Sequence, residues 1–329
     1  MTEVGGPVVL PPFAAGSVAL GLHLSPGDAA SATAGLRAQA RAADEATFDG
    51  VTLSEHHGGF PGYLPAPTLM AAVLLGAMPL AWAAPCPTVL PLRDAAAVVE
   101  ELAWLAAAYP GRVGAGFVPG YHARDFEIVG RDFATRGQHF HEALPQVASA
   151  LAGQPSGALA CDPAVAALSG FAVPVVSGAG GPLGARRAAR AGAGLLVNSL
   201  TPPDEARRLI DAYRAAGGIG PCVLIRRAWI GTLPESVGAQ LDRYYRMDSA
   251  GSLGPPPASG VVSHGDPGSV AESLAVACSR AGADSLNLRV FAEDLPAEVL
   301  VDQIGRFGVD VLPELRQAFR RPPFPVRPV

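Results

Sequence analysis

Glu55, His56 and His57 stand together where an apolar run over residues 50–53 gives out. Histidine changes charge near neutral pH, so one placed at a strand end beside a binding site can take up and return a proton. Adjacent strand residues point to opposite faces, so the two imidazoles cannot share a direction. The expectation is that His56 faces the site, as a proton partner or as a hydrogen-bonded cap on the strand, and that His57 turns into a structural role. A different chemistry is written into Ser177-Gly178-Ala179-Gly180-Gly181-Pro182, which joins an apolar run to a helical pattern. Successive glycines let backbone N–H groups converge on an anion, and the helix start adds a favourable field. The other reading is a tight turn and nothing more. Arg289 closes the run Leu286-Asn287-Leu288; it either clamps an anion bidentately or forms a salt bridge that closes the fold. His23 at the end of the first strand-like run and His122 on the loop after the fourth are further candidates for substrate contact. His139 and His141 are two residues apart on one helix and so make a poor metal pair; no metal is expected.

These groups act together only if the chain gathers them. Strand-like runs near residues 18–24, 50–53, 80–90, 113–117, 173–177, 194–198, 222–230 and 285–290 alternate with helical patterns. The helices fall near 32–46, 66–75, 94–108, 134–152, 183–191, 204–216, 266–281 and 297–319. Strands alternating with helices imply a parallel sheet with right-handed crossovers. Eight such units predict an α/β fold of the (β/α)8-barrel type over residues 1–329. The competing open sheet carries a glycine fingerprint after its first strand; here that place reads His23-Leu24-Ser25-Pro26-Gly27. In a barrel all strands open their C-terminal ends on one face, which collects the candidates above. Residues 154–170 read as a shortened excursion. Residues 249–263 read as a flexible loop after the seventh strand, on the active face.

Composition narrows the function. Of 329 residues, 49% are apolar and 16% charged, enough for a large core. A net charge of −5 with no basic run argues against nucleic acid or an anionic membrane as partner. Residues 1–16 lack the basic start of a secretory signal, and no apolar run is long enough to span a membrane, so a cytoplasmic chain is expected. Cys86, Cys161, Cys222 and Cys278 are too widely spaced for a zinc ribbon or a disulfide framework. There is no lysine, which excludes Schiff-base chemistry and the P-loop lysine of nucleotide hydrolases.

The segment Thr47 to His57 is followed by Thr88-Val89-Leu90-Pro91-Leu92-Arg93-Asp94 and by Gly111-Arg112-Val113-Gly114-Ala115-Gly116. Next comes Gly120-Tyr121-His122-Ala123-Arg124-Asp125-Phe126-Glu127-Ile128-Val129-Gly130, with Arg136 and Glu142 beyond. In this order and spacing the chain resembles the luciferase-like flavin monooxygenases, in motif nearest the luciferase catalytic subunit over residues 48–153. The resemblance implies a (β/α)8 barrel that forms a homodimer through the helix at 94–108. It implies reduced FMN, or the deazaflavin F420, bound at the strand ends, with a flavin reductase as a source of reduced flavin. It places His56 as the catalytic histidine. Glu55, Gly120, Ser177, Gly178, Gly180 and Gly181 fall to the cofactor, the last four near its phosphate. The bond Cys86–Pro87 falls where the family has a cis peptide under the flavin ring. His23, His122 and Arg289 stay candidates for substrate contact on their residue types and places alone.

The chain departs from the family pattern where an arginine for the flavin phosphate is expected: Pro119 stands there. Proline brings neither charge nor donor, which implies weaker binding of a diffusing reduced flavin. The first functional reading is therefore a monooxygenase using reduced FMN and O2 on a small organic molecule. Hydride transfer with F420 is a second reading, and a barrel that has lost its cofactor is a third.

Overall fold

The computed structural model describes residues 9–248 and 262–320. Its strands are β1 (Val18–Leu22), β2 (Gly50–Leu53), β3 (Trp82–Pro85), β4 (Thr88–Val89), β5 (Ala115–Val118), β6 (Val175–Gly178), β7 (Gly194–Val197), β8 (Cys222–Ile230), β9 (Val262–Gly265) and β10 (Ser285–Arg289). Pairing is parallel and runs β3-β2-β1-β10-β8-β7-β6-β5-β4. Strands β3 and β4 are two halves of one barrel position, interrupted by a cis Cys86–Pro87 bond, as the alignment to the family required. The ends of the path therefore meet, and Ala83 bridges Val113 just ahead of β5. The eight expected barrel positions are all present.

Three features differ from the sequence-based expectation. The strand β9 was not foreseen. It pairs with Arg227–Ile230 of β8, whose nine residues run on beyond the stretch that β10 covers. Of the expected loop at 249–263, residues 249–261 lie outside the described residues, while Val262 and Ser263 open β9. Extra helices form at Ala123–Val129, Pro163–Ala167 and Glu235–Asp248. The second of these is started by Asp162, whose carboxylate accepts from the Ala164 and Val165 N–H groups, and it lies in the excursion at 154–170.

Alternation along each strand builds two cores. Leu20, Leu224 and Leu288 point outward and pack in one apolar cluster with Leu36, Leu209 and Leu274 of the surrounding helices. Ala19, Ala84, Val176, Val223 and Ile225 point inward, around Trp82 and Phe13. The Trp82 ring needs room: a Cβ on Gly50 would lie 2.0 Å from it. Likewise a Cβ on Gly116 would meet Cys86 Sγ at 2.2 Å. A buried polar pair, Asn287 Nδ2 to Thr52 Oγ1 at 2.9 Å, closes the middle of the barrel. Above that layer the side chains no longer fill the interior, and a cavity opens at the strand ends. Among the described residues no helix is long and apolar enough to cross a membrane.

Candidate active site

The cavity has a volume of about 260 Å³. Strand β2 ends in Ser54, Glu55 and His56, and both His56 and the backbone around it reach the wall. His56 is 7% exposed. Its Nδ1 stands 2.7 Å from Asp125 Oδ2, and its Nε2 stands 3.1 Å from the Tyr121 hydroxyl. Phe60 stacks on the imidazole at 4.1 Å between ring centroids, and Tyr63 meets it edge-on at 4.9 Å.

Asp125 is the anchor of this cluster. Its Oδ1 also accepts from the His57 N–H at 3.0 Å and pairs with His122 Nδ1 at 3.2 Å. Burial opposes its charge, but the hydrogen bonds and charge of His56, with the His57 N–H and His122, outweigh that and hold its carboxyl below the usual range. Toward an ionised Asp125 the His56 Nδ1 is the donor, and in the neutral form of the ring that leaves Nε2 as the acceptor facing Tyr121 and the cavity. His56, His122 and Asp125 bring their ligand atoms within 4.8 Å of one another, the composition of a two-histidine, one-carboxylate metal site. In this arrangement both Nδ1 atoms are already engaged with the carboxylate.

Sequence reasoning reached His56 and missed its partners. Asp125 and Tyr121 come from the loop and short helix after β5. That helix is closed by Gly130 in a left-handed conformation at φ 71°. The turn-forming glycine was a readable sign of a helix end there, but nothing local says that its aspartate reaches β2.

The remaining candidates divide. Glu55 is fully buried and spends its carboxylate on the protein: Oε1 accepts from Arg93 at 2.6 Å and pairs with His57 Nε2 at 3.1 Å, and Oε2 accepts from the Val89 N–H at 2.7 Å. It braces β2 against β4, and His57 turns toward it. Cys86 lies beneath the wall with its thiol pushed up to about 12 by burial, while Pro87 of the cis bond reaches the cavity. Gly120, Gly178 and Gly180 line the cavity; Ser177 and Gly181 flank the same turn but do not reach it. His122 is brought to Asp125 rather than to the cavity wall. His23 is 1% exposed, its ring stacked on Phe291 at 4.1 Å. Burial first, then the charges of Arg289 and Arg227, hold it well below the ordinary histidine range, so it is neutral. Arg289 does line the cavity, hydrogen-bonded to Tyr63 Oη at 3.1 Å and Ser54 Oγ at 3.3 Å.

A flat ring with an anionic tail suits this wall. Pro87, Val89, Val118, Leu196 and Ile225 give apolar surfaces. At Gly180 on the wall, and at Gly181 just outside it, an added Cβ would meet nothing within 4 Å, so the backbone of the turn is bare at the start of the helix Pro182–Arg190. An anion can approach it closely.

Comparison with known proteins agrees with this fold. The profile of the luciferase-like monooxygenases matches residues 15–222. No curated protein matches the chain. Among solved structures, the oxygenating constituent of 3,6-diketocamphane monooxygenase from Pseudomonas putida, in complex with FMN, is 18% identical with a TM-score of 0.71, over 91% of this chain and 98% of that one. Monooxygenase RslO1 from Streptomyces bottropensis is 18% identical with a TM-score of 0.68, over 90% and 99%. An F420-dependent secondary alcohol dehydrogenase, in complex with an F420-acetone adduct, is 16% identical with a TM-score of 0.67, over 93% and 99%. At these identities the likeness establishes the fold.

Proposed function

The chain belongs to the luciferase-like monooxygenase family, and on that premise we propose that it uses reduced FMN and O2 to oxidise a small organic molecule. The observation that carries this reading is His56 at the cavity wall, with Nδ1 on Asp125 and Nε2 toward Tyr121. Reduced FMN, when bound, supplies the electrons by which O2 is made reactive. The rest falls to this chain. Pro87 and the rest of the apolar wall seat the ring and exclude water. The turn Gly178–Gly181 takes the phosphate on backbone N–H groups. Asp125 orients the His56 ring and stabilises it when protonated, so that Nε2 can accept a proton from the reacting molecule and return it. Hydride transfer with F420 is the second reading, because the same Nε2 would serve a carbonyl as proton partner, and an F420-dependent enzyme shares the fold. The cavity histidine held by the buried Asp125 supports these two readings over a barrel that has lost its cofactor. We further place the second subunit of a homodimer on the helix Ala95–Ala108, with a separate reductase supplying the reduced flavin.

The test is an anaerobic titration of the purified protein with reduced FMN and, separately, with reduced F420, followed by admission of O2. Saturable binding of reduced FMN, with its reoxidation altered by the protein, is the expected outcome. Binding of F420 alone would move the reading to hydride transfer. Binding of neither would remove the catalytic reading.

A further inference from the structure

We propose that His56, His122 and Asp125 bind a divalent transition cation of the zinc class, and that the bound cation turns His56 into a donor at the cavity wall where it was an acceptor. What that change means for turnover rests on the oxidoreductase reading; the binding itself does not.

The three groups come from two elements. His122 and Asp125 are three residues apart at the start of the helix Ala123–Val129, the spacing that sets side chains on one side of a helical turn. His56 arrives from the end of β2. Their ligand atoms lie within 4.8 Å of one another. A tetrahedral zinc ion with ligands at about 2.1 Å needs donor atoms about 3.3 Å apart. The carboxylate already stands 2.7 Å from His56 Nδ1 and 3.2 Å from His122 Nδ1, so binding asks for shifts of about half an ångström. The two imidazoles stand at 86° to each other and converge on the carboxylate from different directions, as a tetrahedral ion requires.

The surroundings hold this set in place. Asp125 Oδ1 accepts from the His57 N–H at 3.0 Å, and a hydrogen bond of this kind orients a ligating carboxylate for its metal. Phe60 packs on both rings, 4.1 Å from His56 and 5.3 Å from His122 between centroids. His122 is 22% exposed, which gives an ion a way in. Two imidazole nitrogens with one carboxylate oxygen select zinc-like ions over Mg2+ and Ca2+, which take oxygen ligands.

The consequence follows from the tautomer. In the structure His56 Nδ1 faces Asp125 as donor and Nε2 accepts at the cavity wall. A cation on Nδ1 takes the lone pair of that nitrogen, and the neutral ring then carries its one proton on Nε2. The ring keeps its proton count and changes only the proton's place. The new Nε2–H points at the Tyr121 hydroxyl, which can accept as well as donate, and no imidazole lone pair is left for a reacting molecule.

The full chain without cofactor is titrated with Zn2+ by calorimetry and with Co2+ by visible absorption, with Mg2+ for comparison. One Zn2+ per chain is expected, with the Co2+ bands of a tetrahedral nitrogen–oxygen site and no response to Mg2+. His122→Phe should weaken both ions by more than the about ten- to hundredfold that loss of an outer hydrogen-bond partner costs. His122→Gln stands in if the phenylalanine variant loses its circular-dichroism spectrum. Cys161→Ser, which removes the exposed thiol, should leave binding unchanged. In nitrogen NMR of histidine-labelled protein, Zn2+ should convert His56 Nε2 from an unprotonated to a protonated nitrogen. Absence of stoichiometric Zn2+ binding, binding that survives His122→Phe, or binding lost with Cys161→Ser overturns the site. Binding that leaves the His56 Nε2 signal unchanged overturns the change of tautomer. Metal binding with that change, in a protein that takes up no flavin, would keep this proposal and remove the oxidoreductase reading.

Discussion

His56 Nδ1 and Asp125 Oδ2 stand 2.7 Å apart, although 69 positions separate the two residues in the chain. Asp125 is 1% exposed and His56 7%, so water does little to screen their interaction. The carboxylate fixes which imidazole nitrogen carries the proton, and so what the cavity meets. Asp125→Asn keeps the shape and an acceptor for the His57 N–H but removes the charge. We expect turnover to fall by about 10²- to 10⁴-fold, the usual range for losing a positioned acid–base group, with reduced-flavin affinity unchanged. His56→Ala should cost a similar factor, and the double variant no more than the worse single one, because the two act as a unit. Multiplicative losses in single-turnover measurements would separate them.

His23 gives the protein a pH-dependent stability. Its folded-state pKa lies well below the ordinary 6.5 because of burial, reinforced by Arg289 and Arg227. Below pH 6.5 the unfolded chain takes up a proton that the folded chain refuses, so the unfolded state binds more protons and stability falls as pH falls. Above 6.5 the contribution is fully present. The limiting slope for one group is about 1.4 kcal/mol per pH unit. Urea midpoints between pH 7 and 5 should drop more steeply for wild type than for His23→Phe, which fills the stack on Phe291 without titrating. Parallel curves would show that another group sets the slope.

Pro119 lines the cavity between β5 and the glycine turn, and it brings no charge to a phosphate. We expect the protein to come off a column colourless. Pro119→Arg should tighten FMN by about ten- to a hundredfold, the worth of one charge-assisted hydrogen bond, measured by flavin fluorescence. Purification of the wild type as a yellow protein with stoichiometric FMN would show that backbone donors suffice.

The proposed dimer makes a mechanical claim about one helix. On Ala95–Ala108 the indole of Trp104 is 56% exposed, and Leu69 of the preceding helix is 67% exposed. Apolar groups of this size on one face mark an interface when another copy covers them. Light scattering should give twice the chain mass for wild type. Leu69→Glu combined with Trp104→Glu should give the single chain mass, with the circular-dichroism spectrum retained. A wild type already at single mass would end the proposal.

Periodicity and motif by themselves determined much of this protein. The alternation of apolar runs with helical patterns sets the eight barrel positions, because a helix stripe and a strand face bury apolar surface at different repeats. The residue types at 55–57 put a histidine at a strand end, and Pro87 at the register of the family's cis bond marks the break between β3 and β4. Elements whose cues are short or sit next to a rim were not legible. These include β9, which exists only because β8 runs on past the stretch paired with β10.

Tertiary structure alone decided who meets whom. Asp125 reaches His56 because the loop after β5 folds back over the end of β2, a contact between elements that are not sheet neighbours. Glu55 has the same chemistry as Asp125, yet is consumed by Arg93 and the Val89 N–H, while His23, at a strand end like His56, is sealed behind Phe291. Arg227 and Arg289 become a pair through strand register, 62 residues apart in number and level in space. A side chain's type is a local property, whereas its direction, its burial and its partner depend on which strands lie side by side and in what register, and that is settled only when the barrel closes.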